Sequence, residues 1–342
     1  MSAPAIEIDR DGSDEVVWLD GGPLRLGLVP ALGGRLLALR HEGRELLYRN
    51  DRLIDARLHR RPAEAELPPL DGTLGSWRNY GGDKTWPAPQ GWSGPAEWAG
   101  PPDPVLDSGP YGWSCERRGE EVVVTLRSAP DPRTGLLLER RVTLAAGASG
   151  FALELAMENA SERPVRWALW NVTQVRGERD PDGGAWVGLD ADAGQEAVVG
   201  LVAGTGTPRF ERVAPDRAHV PDQDVVGKLG FPGACGWLAY VAGDRVLRQR
   251  WAVDRGAPHP DRGSRAEVWL EHPLDAPLDE LGGLRPPDRV VECEVVGPLT
   301  ELAPGARAEL RIDWDVLPRE GWEPAAEAAT TAAARDGAEA GR

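Results

Sequence analysis

The chain is 342 residues long and carries 55 acidic against 39 basic residues, a formal net charge of −16. A surface of that sign repels phosphate backbones and anionic headgroups, and no basic block offsets it locally, so neither nucleic acid nor a membrane is expected as a partner. No stretch approaches the roughly eighteen consecutive apolar residues of a membrane span, and MSAPAIEIDRDGSDE has neither a basic nor an apolar leader region, which makes a soluble cytoplasmic protein the expectation.

In chain order, GRLLALRHEGRELLYRN (34–50) splits at Glu42-Gly43 into two strands of a hairpin. Residues 51–76 read as an irregular insertion, in which charged DARLHRRPAEAE leads into LPPLDG with room for a short helix. The segment NYGGDKTWPAPQGWSGPAEW (79–98) holds three tryptophans, three prolines and four glycines. Proline removes a donor and glycine weakens any ladder, so it reads as a loop. Its Trp86, Trp92 and Trp98, with Trp77 just upstream, either form a private core or offer faces to a ligand.

YGWSCERRGEEVVVTLRS (111–128) is a second hairpin, turning at Arg118-Gly119. FALELAME (151–158) and ELRIDWDV (309–316) alternate apolar and polar residues with period two, the mark of half-buried antiparallel strands. VRWALWNVTQV (165–175) reads as a central strand. In VVECEVVGP (290–298), Glu292 and Glu294 share one face and Val291, Cys293 and Val295 the other. The Asp- and Gly-rich stretch 177–198 reads as solvated turns, because DPDGG and DADAG lack the bidentate glutamate of a calcium loop. GTGTPRF (204–210) has no strand-turn-helix frame, and no other metal or nucleotide fingerprint occurs, so no metal and no cofactor is expected. Cys115, Cys235 and Cys293 read as buried free thiols. The sum is an all-β chain, a large antiparallel sandwich over residues 1–322 in one domain, followed by an Ala-rich tail (323–342) expected to be disordered.

GGRLLALRHEGRELLYRN, GGDKTWPAPQ and ECEVVGPLTELAPGARAELRIDW resemble the aldose 1-epimerase (galactose mutarotase-like) superfamily, and within it the DUF4380 family, over about residues 15 to 317. The resemblance implies a β-sandwich with a small-molecule carbohydrate bound in a cleft on one sheet, lined by the Gly-Gly…Trp-Pro loop. Physical chemistry agrees. A pyranose offers a patch of C–H groups and a rim of hydroxyls, so its site needs an aromatic platform beside polar partners. Trp86 and Trp92 are the candidate platforms and Arg78, Asn79, Asp83, Lys84 and Gln90 the rim, joined by Trp170 and Gln174 of the central strand.

The resemblance also implies a strand glutamate as base and a histidine as acid for opening and reclosing the ring. Glu294 matches the base position, with Glu292 beside it. The family's histidine motifs are absent: Asn171 is followed by Val172, and Tyr80 stands where a histidine is expected before the paired glycines. Candidate acids are Tyr80, Lys84 and His272, the last at the end of the EVWLEHPLD strand. Two readings follow, an aldose 1-epimerase-like enzyme working at or near the anomeric carbon and a non-catalytic sugar-binding or sensing protein with the same cleft.

Overall fold

A computed structural model describes residues 3–61, 67–91, 93–180 and 183–327. It is built almost wholly of antiparallel strands in two large sheets, as the period-two pattern requires. The first sheet runs Ala5–Asp9, Val16–Asp20, Leu24–Val29, Arg35–His41, Asp83–Ala88, Val165–Arg176, Val290–Val296, Ala266–Glu271, Gly227–Gly230, Val199–Ala203. The second runs Glu211–Ala214, Arg217–Val220, Gly184–Leu189, Ala234–Ala242, Arg245–Trp251, Arg307–Pro318, Gly150–Asn159, Leu136–Ala145, Glu121–Arg127, Gly112–Arg118. Both expected hairpins are present, with the 34–50 one reduced on its return arm to Arg44–Glu45. Leu26, Leu36, Val291, Cys293 and Val295 of the first sheet and Leu138, Leu153, Leu155 and Ile312 of the second belong to one buried apolar cluster.

The main correction falls on residues 79–98. Asp83–Ala88 is a buried strand inside the first sheet, not a loop, and it pairs with Val165–Arg176 from Asp83↔Thr173 to Ala88↔Ala168. Proline is tolerated because the strand on its other side, Arg35–His41, pairs only at Leu36↔Asp83, so the N–H that Pro87 lacks is not missed there. The paired glycines set the entry. Gly81 and Gly82 have φ of +97° and +74°, and a Cβ on them would come within 2.3 Å of the Tyr48 carbonyl oxygen and 2.5 Å of that of Leu36.

Other expectations shift less. The 51–76 insertion shows a 3-10 turn at Leu74–Ser76, and residues 62–66 lie outside the described residues. Within 177–198, Gly184–Leu189 is a strand, and Asp190 is buried and held by Arg255 and Arg265 because its turn packs on the second sheet. Cys235 and Cys293 are buried, whereas Cys115 is exposed on the Gly112–Arg118 edge strand. Of the tail, residues 324–327 form a turn of helix and Glu327 pairs with Arg248, while 328–342 lie outside the described residues.

Candidate active site

Period two sorts the central strands of the first sheet into two faces. Asp83, Thr85, Asn171 and Thr173 point toward the second sheet, where Arg140 and Gln249 meet them. The opposite, outer face carries Lys84 and Trp86, then Trp170, Val172 and Gln174, then Glu292 and Glu294, then Glu267, Trp269 and Glu271, and finally Lys228. Register locks these into rows: Trp86 beside Trp170, Gln174 beside Glu292, Glu292 beside Trp269, Glu294 beside Glu267, and Trp269 beside Lys228.

This face is the floor of a cavity of about 400 Å³, a size suited to a small ligand. Trp77, Trp86, Trp170 and Trp269 form its aromatic sides, and Lys228, Glu267, Glu271 and Glu292 its polar surface. Gln90, Asp261 and Arg262 stand at its margin. Asp261 and Arg262 have φ of 49° and 61°, a left-handed backbone that non-glycine residues adopt at a cost.

The floor is a chain of hydrogen-bonded charges. Glu292 Oε1 accepts from Lys84 Nζ at 3.2 Å and Gln174 Nε2 at 2.6 Å. Lys228 Nζ donates to Glu267 Oε2 and Glu294 Oε2, each at 2.8 Å, and Glu294 Oε2 also accepts from Trp170 Nε1 at 2.6 Å. Cation–π contacts add to this, with Lys228 Nζ 4.3 Å from the Trp170 ring centre and Lys84 Nζ 4.7 Å from that of Trp86.

Too many carboxyls share this space for all to be ionised. Burial, reinforced by the charges of Glu294 and Asp261 and opposed by Lys228, pushes Glu267 well above the ordinary carboxyl range. Burial raises Glu294 and Asp261 as well. Glu267 Oε1 and Glu294 Oε1, on cross-strand neighbours, are both buried without a donor from the surrounding side chains or backbone. Burial and then the Glu292 charge push Glu271 up to about 8, although the Trp269 indole N–H donates to it at 3.0 Å. Burial pulls Lys84 down, against the attraction of Glu292. For Lys228 the two carboxylates outweigh burial and hold its pKa above the usual ammonium value.

Trp86 is almost fully buried. Its ring centre lies 5.8 Å from that of Trp77, 5.1 Å from Trp98 and 5.3 Å from Trp170. Asp107, paired with the buried Arg35, accepts from the indoles of Trp77 at 3.0 Å and Trp86 at 3.2 Å. The tryptophans are thus both a private core and, along one edge, a cavity wall.

Of the residues singled out in the sequence, Trp86, Gln90, Trp170 and Glu292 line the cavity. Lys84 and Gln174 support Glu292 from behind, and Glu294 is fully buried behind Trp170 and Lys228. The others lie elsewhere. Tyr80 belongs to a separate apolar cluster with Trp18, Leu32, Ile54 and Leu58. Arg78 donates to the Pro68 carbonyl, the Asn79 side chain accepts from the Gly81 N–H, and Asp83 faces the second sheet. His272 follows the Ala266–Glu271 strand, half-buried and off the cavity lining, and Trp92 lies outside the described residues. Lys228, Asp261, Glu267, Trp269 and Glu271 were not anticipated. The signal for three of them was present, because period two in EVWLE puts Glu267, Trp269 and Glu271 on one face and Val268 and Leu270 on the other.

Two large antiparallel sheets, with this aromatic, acid-floored cavity on the outer face of one, give the protein the β-sandwich fold of galactose mutarotase-like proteins. The chain belongs to the family described as a domain of unknown function, DUF4380, whose model matches residues 15–317. None of the curated proteins compared matches it. Among solved structures it is similar to galactose 1-epimerase from Lactobacillus acidophilus NCFM, with 12% identity, TM-score 0.55 and coverage of 93% of this chain and 99% of that one. It is also similar to a galactose mutarotase-like protein from Lactobacillus casei ATCC 334, with 10% identity, TM-score 0.51 and coverage of 88% and 100%. A TPR-domain containing protein from Parabacteroides distasonis ATCC 8503 gives 15% identity and TM-score 0.59 over 91% of this chain, which spans 49% of that protein. At these identities the likeness is one of fold.

Proposed function

We propose that the cavity binds a sugar or sugar derivative and carries out acid–base chemistry at its anomeric carbon. The observation that carries this reading is that Glu292 and Glu267 line one cavity in unlike surroundings, Glu292 accepting from Lys84 and Gln174 and Glu267 pushed well above the ordinary carboxyl range by burial. Two carboxyls facing one cavity from such different settings can divide the roles of base and acid. Glu292 takes the anomeric hydroxyl proton while Glu267 gives its proton to the ring oxygen, and the bond from the anomeric carbon to that oxygen breaks to leave an open-chain aldehyde. After rotation about the adjacent carbon–carbon bond, the former ring hydroxyl attacks the other face of the carbonyl. Its proton returns to Glu267, and the anomeric oxygen recovers one from Glu292.

On this reading a protonated carboxyl does the work that family epimerases give to histidine. Glu294, which the resemblance matches to the base, holds Glu267 and Lys228 in place. The test is anomer exchange measured by NMR on a panel of aldoses. Exchange faster than a heat-denatured control is expected, falling by roughly 10²–10⁴-fold in Glu292→Gln and Glu267→Gln. No acceleration by the wild type on any aldose overturns the enzymatic reading. A second reading, a non-catalytic sugar-binding protein, is favoured by one observation: among the described residues no histidine lines the cavity. Ligand-induced thermal stabilisation without exchange would select it.

A further inference from the structure

Part of the cavity has a chemistry that a bare sugar does not use. Besides the carboxyls, Leu74, Leu201, Val202, Leu281 and Leu284 line it, and all but Leu201 belong with Trp269 to one apolar cluster. They come from three separate places: the turn at Leu74–Ser76, the edge strand Val199–Ala203, and the turn at Asp279–Leu281 with the residues that follow it. All but Leu284 keep part of their surface open. Aliphatic side chains offer hydroxyls no partner, so a polyol pressed on them loses hydrogen bonds to water without replacement.

The wall is also built to stand open. The Gly75 N–H donates to the Gly282 carbonyl at 2.8 Å, and a Cβ on Gly75 would come within 2.6 Å of the Gly283 carbonyl oxygen. Two turns more than two hundred residues apart are therefore clamped backbone to backbone. Gly204 gives the matching close approach on the other flank, where a Cβ would lie 2.9 Å from Leu281 Cδ1. With the two turns clamped at Gly75 and Gly282, the wall presents its leucines to the cavity, and a ligand meets it with less ordering left to do.

We propose that the ligand is amphiphilic: a sugar or sugar derivative bearing a short acyl or alkyl chain, its ring on the carboxyl floor between the tryptophans and its chain along the leucine wall. This rests on the sugar reading of the floor, and the continuity of floor and wall in one cavity fixes the chain as the wall's occupant.

Calorimetric titration of glucose, galactose and mannose against their 6-O-hexanoyl esters tests it, since each ester keeps a free anomeric hydroxyl. At least one ester is expected to bind about tenfold or more tightly than its parent. Leu281→Gln and Val202→Thr, both at half-exposed positions, should erase that gain while leaving the affinity for the parent sugar unchanged. The proposal falls if no ester binds, if esters bind no better than parents, or if the gain survives in both variants. Anomer exchange read by NMR on the same samples keeps the two proposals apart. Exchange without an ester gain removes the amphiphile and leaves the acid–base reading; an ester gain without exchange does the reverse.

Discussion

The two faces of the strands Asp83–Ala88 and Val165–Arg176 bury polar groups in opposite ways. On the inner face a single carboxylate is saturated: Asp83 pairs with Arg140 and accepts from Asn171 Nδ2 at 2.6 Å and Thr173 Oγ1 at 2.7 Å, while Gln249 Nε2 donates to Thr173 at 2.9 Å. Charges balance one to one. On the outer face, Glu267, Glu271, Glu292, Glu294 and Asp261 share two ammonium groups, Lys84 and Lys228, with Arg262 at the margin. Protons must make up the difference. Burial alone therefore does not distinguish scaffold from site. The distinguishing property is the excess of one charge sign over its partners, which leaves groups that change protonation.

The largest expected effect breaks the inner face. Arg140→Met leaves Asp83 buried without its cation and should cost about 3–5 kcal/mol in urea unfolding. A loss under about 1 kcal/mol would mean that the inner cluster is as tolerant as the outer one. Trp86→Ala, which removes the centre of the tryptophan cluster, should likewise cost roughly 3–5 kcal/mol. A near-neutral change there would make Trp86 a binding platform and not a core residue.

Protonation gives the sharper contrast. Glu271 is raised from an ordinary value of 4.5 to about 8, so between those values the folded state binds more protons than the unfolded one. Its contribution is fully present below about pH 4.5 and is lost as pH rises through about 8. Relative to Glu271→Gln, the wild type should lose stability across that window, by up to roughly 1.4 kcal/mol per pH unit. Unfolding curves at about pH 5, 6.5 and 8 check it, and a constant difference between the two proteins would place Glu271 among ordinary carboxylates. The smallest effect concerns the backbone at the cavity margin. Arg262→Gly relieves one left-handed residue and should raise stability by about 1 kcal/mol, read as an increase in the urea midpoint at unchanged slope.

The fold was legible because period two is a local property, and FALELAME and ELRIDWDV state it within eight residues each. The Asp83–Ala88 strand was not, since Pro87 within it, Pro89 just after it and the glycines before it argue locally against a ladder that its partner Val165–Arg176 supplies. The site was half legible. Glu292 and Glu294 announce a shared face, but which of them meets the cavity depends on Trp170 and Lys228, and Lys228 sits in GKLG, a strand too short to show any period. Glu267 gains its meaning from lying beside Glu294, a neighbour fixed by sheet order and invisible in the spacing of either strand.

The Asp83–Arg140 cluster has one more consequence, for assembly. Side chains alternate along a strand, so sliding Val165–Arg176 by one residue past its neighbours would turn Asn171 and Thr173 outward and thrust Trp170 and Gln174 between the sheets. Beyond the usual penalty for exchanging the faces of a half-buried strand, such a slip would here strand a guanidinium and a carboxylate in the interior. The cluster therefore works as a proofreading device: Arg140, Asn171 and Thr173, 57 to 90 residues from Asp83 along the chain, meet it only when the central strands are correctly aligned, and that alignment is the one that turns Trp170 and Gln174 to the face carrying the cavity.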